Sequence, residues 1–118
     1  MTISRAREVG GDAAGFADRL RESIDQLTST VGALAGPGSV DRMMANSTVF
    51  PDAVGHLVVA WLWLEQHIAC ADKSGDFYDG KRQAAAYFFR WELPRTRAQF
   101  ELLASGDDTT LAMRDEWF

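Results

Sequence analysis

The chain has a single cysteine, Cys70, so it cannot form an internal disulfide and its fold must rest on packing. A reducing compartment is the simplest setting for a lone thiol, and the expected location is cytoplasmic. Histidine is almost as scarce. His56 and His67 lie on one helical stretch, about 16 Å apart at ~1.5 Å rise per residue, too far for one metal ion. His67 and Cys70 share a helix face, but two ligands make half a site and Asp72 does not complete it. Read instead as a base and a nucleophile, the pair lacks an orienting third group and an oxyanion hole. Positive charge is also in deficit. Twelve Lys and Arg stand against seventeen Asp and Glu, for a net charge of −5, so nothing general draws the chain to nucleic acid or an anionic membrane. The longest unbroken apolar run, Leu57 to Leu64, falls well short of the roughly 20 residues a membrane span needs. The opening residues lack the apolar stretch of a signal peptide. Gly10-Gly11 and Gly36-Pro37-Gly38 match no nucleotide-binding fingerprint, and no strand precedes either of them.

Apolar residues make up 47% of the 118 positions, with four Trp and seven Phe to place in a core or an interface. Residues 1–11 read as a flexible lead-in, and 12–118 as a single helical domain. Asp12 suits the start of a helix. From there Phe16, Leu20, Ile24, Leu27, Val31 and Leu34 recur at steps of three and four, one apolar stripe that runs to the Gly36-Pro37-Gly38 turn. Ser39 or Asp41 opens a short helix holding Val40, Met43 and Met44. A second long helix spans about Asp52 to Ala71, and Pro51 leaves open a break or kink before it. Its middle is apolar on nearly every side. Trp61 and Trp63, about 200° apart around it at 3.6 residues per turn, are hard to cover in a lone small bundle, which hints at a partner surface. A third helix begins near Asp76 and carries an apolar stripe of Ala84, Ala85, Phe88 and Trp91, flanked by Tyr87 and Phe89. Pro94 must bend or interrupt it near Arg90. Phe100 and Leu103 resume the buried face, and Ser105-Gly106 ends it. The tail contains one short turn around Leu111-Ala112-Met113, and its last aromatics, Trp117 and Phe118, are expected to dock. No strand pattern competes. The expected fold is all-α, an up-and-down helical bundle of three long helices plus one or two short ones.

The charged residues follow this frame. Asp18, Glu22 and Asp25 line one side of the first long helix and read as solvated surface rather than paired catalytic carboxylates. Lys81, Arg82, Arg90, Arg95 and Arg97 make the third helix locally basic without forming a nucleic-acid stripe. They are candidates to pair with the acidic first helix, a partner or an anionic cofactor tail. Arg90 and Arg97 point the same way, two turns apart, as a pair suited to an acidic surface.

The order of several segments is more specific than any one of them. Asn46-Ser47-Thr48 precedes Gly55-His56-Leu57-Val58-Val59-Ala60-Trp61-Leu62. Gly75-Asp76-Phe77-Tyr78-Asp79-Gly80-Lys81 then opens the helix of Ala84-Ala85-Ala86-Tyr87-Phe88-Phe89 and Leu93-Pro94. Ala104-Ser105-Gly106-Asp107-Asp108 leads into the acidic tail. In this order, and with the preceding helix over 12–37, the chain resembles the C-terminal extension domain of the larger acyl-CoA dehydrogenases. That group includes the bacterial 3-methylmercaptopropionyl-CoA dehydrogenases, and the part resembled is the acetyl-CoA dehydrogenase C-terminal-like domain. The resemblance implies an accessory domain, fragment or split subunit packed on the core of an enzyme that oxidises acyl-CoA thioesters. The FAD and the proton-abstracting glutamate of such an enzyme lie in the core and have no counterpart here, so the isolated chain is expected to hold no cofactor, no metal and no catalytic residue. Trp61, Trp63 and Arg90-Trp91-Glu92 depart from the family's usual smaller or more polar residues. The alternative is a stand-alone interaction module, for instance a homodimer, without nucleic acid or membrane partners. A small redox protein using His67 and Cys70 is a third reading. The interface candidates are Trp61, Trp63, Arg90, Arg97, Trp117 and Phe118.

Overall fold

The structure is a computed structural model that describes residues 1–35 and 39–118, the side chains of Ser39, Arg42 and Met43 excepted. Among the described residues six α-helices run in order: α1 Thr2–Val9, α2 Gly11–Leu34, α3 Ser39–Ala45, α4 Val49–Ala69, α5 Asp76–Tyr87 and α6 Arg95–Ala104. A π turn, Phe88–Glu92, continues α5, and a short 3-10 turn, Asp115–Trp117, closes the tail. No strand occurs among the described residues. The all-α bundle is as expected. The Gly36-Pro37-Gly38 turn lies outside the described residues.

The largest departure from the sequence reading is α1. Where a lead-in is expected over 1–11, a helix packs across α2 and α4, with Ala6 wholly buried and Thr2 nearly so. An eight-residue helix is not stable alone, so its order comes from docking. Trp61 Nε1 donates to Thr2 Oγ1 at 2.6 Å, and Glu65 accepts from both Thr2 and Arg5. The chain turns into α2 at Gly10 and Gly11, both at positive φ (77° and 56°), where any side chain would be strained.

On α2, the expected stripe buries Phe16, Leu20 and Leu34, with Ile24 and Leu27 partly covered, but Val31 faces solvent. The helix α4 is central, packing against α1, α2, α5 and α6. It begins at Val49, two residues before Pro51, whose missing N–H falls in the first turn and neither kinks nor splits the helix. Ala53, Leu57, Ala60 and Leu64 form its buried line.

Beyond α5 the core stripe differs from expectation. The buried residues are Ala85, Phe89, Leu93, Thr96, Phe100 and Leu103, while Trp91 is 65% exposed. The π turn is marked by Leu93 N donating to Phe88 O at 2.9 Å, a five-residue step. It is the way the chain accommodates Pro94, which has no N–H to return to the preceding turn. Its wider turn keeps Ala85, Phe89 and Leu93, spaced at fours, on one face. Pro94 then separates it from α6, and the Thr96 hydroxyl satisfies Leu93 O at 2.8 Å. Gly106, at φ 66°, ends α6 as a left-handed cap.

The described molecule is flat and long, 61 × 29 × 15 Å, with a radius of gyration of 17.7 Å. A compact chain of about 100 residues has ~13 Å. No helix among the described residues is long and apolar enough to cross a membrane.

Candidate functional site

Side chains at the ends of helices are mostly engaged locally. Arg82 hydrogen-bonds Cys70 O and Lys73 O, satisfying carbonyls beyond the end of α4, and pairs with Asp79 at 2.7 Å. His56 Nδ1 lies 3.0 Å from Asp52 O and its Nε2 lies 3.6 Å from Glu92. Cys70 is a buried free thiol. His67 is half-buried, edge-on to Phe16 with centroids 5.1 Å apart. Among the described residues no group of three His, Cys, Asp or Glu is placed to hold a metal ion. Asp18 and Asp25 sit at the surface, paired with Arg7 and Arg21, both at 3.2 Å.

Two titrating groups tie α1 and α2 to α4. Glu65 is held below its ordinary 4.5, first by the Thr2 hydrogen bond and also by Arg5, against a contrary pull from burial. His67 is held below its ordinary 6.5 by burial, with Asp12 raising it and Arg82 lowering it further. Both shifts have the same sign for stability. Each contribution is full above the ordinary value and lost as pH falls, because the unfolded chain then takes up the proton more readily. Stability is therefore expected to decline below about pH 6.5 through His67. The anchoring of α1 should weaken below about pH 4.5 as Glu65 is neutralised. Amide exchange read by pH-stepped NMR should show Thr2–Val9 losing protection in acid before α4 does. Simultaneous loss in both helices would count against this anchoring role.

The sequence-predicted interface residues occupy different parts of the surface. Trp61 is 46% exposed, its indole N–H held by α1. Trp63, on another side of α4, is half-buried under Lys81, whose Nζ lies 5.7 Å from its ring centroid. Trp117 and Phe118 are not docked among the described residues: they are 61% and 93% exposed, with Arg114 5.4 Å from the Trp117 ring centroid. The tail turns at Ala112 N, which donates to Asp108 O at 2.8 Å.

Val58, Val59 and Leu62 were not among the sequence-predicted interface residues. All three are exposed on α4, Leu62 by 50%. With Gly55 and Ala69 they form one strip along the outward side of the helix, opposite the buried Leu57 and Leu64. Beside it an apolar groove of about 600 Å³ runs between α1, α2 and α4, with Leu20, Ile24, Leu57 and Val58 in its wall. The signal was in the sequence as a helix apolar all round, but which arc stayed open depended on α1.

Arg90 and Arg97 do come together, around a second groove of about 560 Å³ between α2 and the α5–α6 corner. Arg19 of α2, not singled out in the sequence, completes the set. Gln26 Nε2 fixes one wall by donating to Arg97 O at 3.1 Å.

These features define an all-helical slab whose central helix keeps an uncovered apolar strip. The chain belongs to the family described as acetyl-CoA dehydrogenase C-terminal like, which it matches over residues 2–114. The match takes in α1 as well as the helices that carry the resemblance. No curated protein and no solved structure matches the chain.

Proposed function

We propose that this chain is the non-catalytic accessory domain, as a fragment or a split subunit, of an FAD-dependent acyl-CoA dehydrogenase, and that it packs on the dehydrogenase core through α4. The observation that carries this reading is the exposed strip of Val58, Val59 and Leu62 on the central helix, which packs against α1, α2, α5 and α6. Contiguous exposed apolar surface on a rigid helix marks an interaction site. The thin, extended shape supports the same reading, since a flat slab covers a partner with little chain. FAD and the base that removes the α proton belong to the core.

Purification of the tagged chain from its own host tests the reading directly. The expected product is a yellow complex with a larger flavoprotein, recognised by its absorbance and by the mass of the partner. A colourless product with the mass of two copies would overturn it in favour of a stand-alone homodimer.

A further inference from the structure

We propose that the groove between α2 and the π turn binds a phosphorylated small molecule of nucleotide size, held by Arg19, Arg90 and Arg97. The first ground is how the arginines are used. Arg5, Arg7, Arg21, Arg82 and Arg95 each pair with a carboxylate, and Arg114 lies over Trp117. Among the described arginine side chains, those of Arg19, Arg90 and Arg97 alone appear in no ion pair or ring contact, and all three line the same groove. In a chain of net charge −5 with acidic residues on the same helix, three uncommitted guanidinium groups around one concavity are not a consequence of composition. Glu22 also lines the groove, leaving the arginines two charges in excess.

The second ground is shape. A volume of about 560 Å³ lies within the ~300–1,000 Å³ of small-molecule sites and is concave, unlike a typical flat protein contact. Of its lining, Phe89 and Leu93 are buried while Arg19, Arg90 and Arg97 are exposed, so its base is apolar while its rim is cationic. Guanidinium forks match phosphate oxygens two at a time, and Glu22 and Gln26 offer partners to hydroxyl or amino groups. The third ground is local backbone. The π turn Phe88–Glu92 carries Arg90, and such turns are frequent at functional sites. The groove shares no residue with the α4 strip, so this inference stands apart from docking on a dehydrogenase core.

Calorimetric titration of the full chain at low salt, with ADP, inorganic pyrophosphate and adenosine as probes, tests it. ADP and pyrophosphate should each bind once per chain, while adenosine should not bind measurably. The double variant Arg90→Gln/Arg97→Gln should weaken ADP at least tenfold with an unchanged helical circular-dichroism spectrum, because both side chains are exposed. Arg114→Gln should leave binding as it is. Absence of saturable ADP binding at millimolar concentration would overturn the proposal, as would equal weakening by Arg114→Gln. A hexaglutamate peptide that displaces ADP and binds more tightly would overturn it as well, by reassigning the groove to an acidic protein segment.

Discussion

Replacing Phe89 by alanine should cost about 3–5 kcal/mol, the range for deleting a fully buried phenylalanine. The ring is wholly enclosed and stacks on Phe16, with centroids 4.6 Å apart and planes 14° apart. It thereby joins α2 to the π turn, and Phe100 and Leu103 carry the same buried face into α6. A domain of this size is stable by ~5–15 kcal/mol, so the variant should retain only part of its stability or lose its fold at ambient temperature. In urea, with a slope of about 1–3 kcal/mol/M, the midpoint should fall by roughly 2 M. Trp91→Ala is the matched comparison. Although it removes a larger side chain, that side chain is 65% exposed, and the change should stay within about 0.5 kcal/mol. The reverse order of effects would show that Ala84, Phe88 and Trp91 form the core face and that the π turn is misplaced.

That contrast also shows what was legible in the sequence. The long stripe of α2, Val31 excepted, and the interruption before α6 follow from spacing and from Pro94, and they are where expected. Choosing between two adjacent stripes on α5 needed the π turn, because Trp91 is the bulkier apolar residue and the alternative line passes through Ala85 and the polar Thr96. Helix α1 was illegible for a different reason. Eight residues with apolar side chains only at Ile3, Ala6 and Val9 are too few for periodicity, and its order depends on Glu65 and Trp61, about sixty positions away. Trp117 and Phe118 were expected to dock because two aromatics are unusual in a disordered tail, yet they are 61% and 93% exposed. Seven-residue spacing put Arg90 and Arg97 on one side of a continuous helix; both line one groove, although the π turn and Pro94 lie between them. Arg19 was not singled out, since only the packing of α2 against α6 brings it to them.

On the open side of α4, Leu62→Glu should abolish association with the dehydrogenase core while leaving the domain folded. Half of the Leu62 side-chain surface is already in water, so a glutamate there meets solvent in the free domain and costs little. In the complex the same position would become dry. Losing a buried leucine forfeits about 1.5–3 kcal/mol, and a carboxylate buried without a partner adds to that. At 1.4 kcal/mol per tenfold, affinity should fall by a factor of about 100 or more. Val59→Lys should act in the same direction, since it projects from the same strip. Trp63→Glu is a poorer probe despite its greater bulk. Its ring is half-buried against Lys81, so loss of binding would be mixed with loss of the α4–α5 contact. Pull-down of the flavoprotein, with urea midpoints recorded in parallel, separates the two effects. Retained association in both Leu62→Glu and Val59→Lys would move the docking face away from α4. Lost association with an unchanged midpoint would place it there, because both positions are already exposed in the free domain.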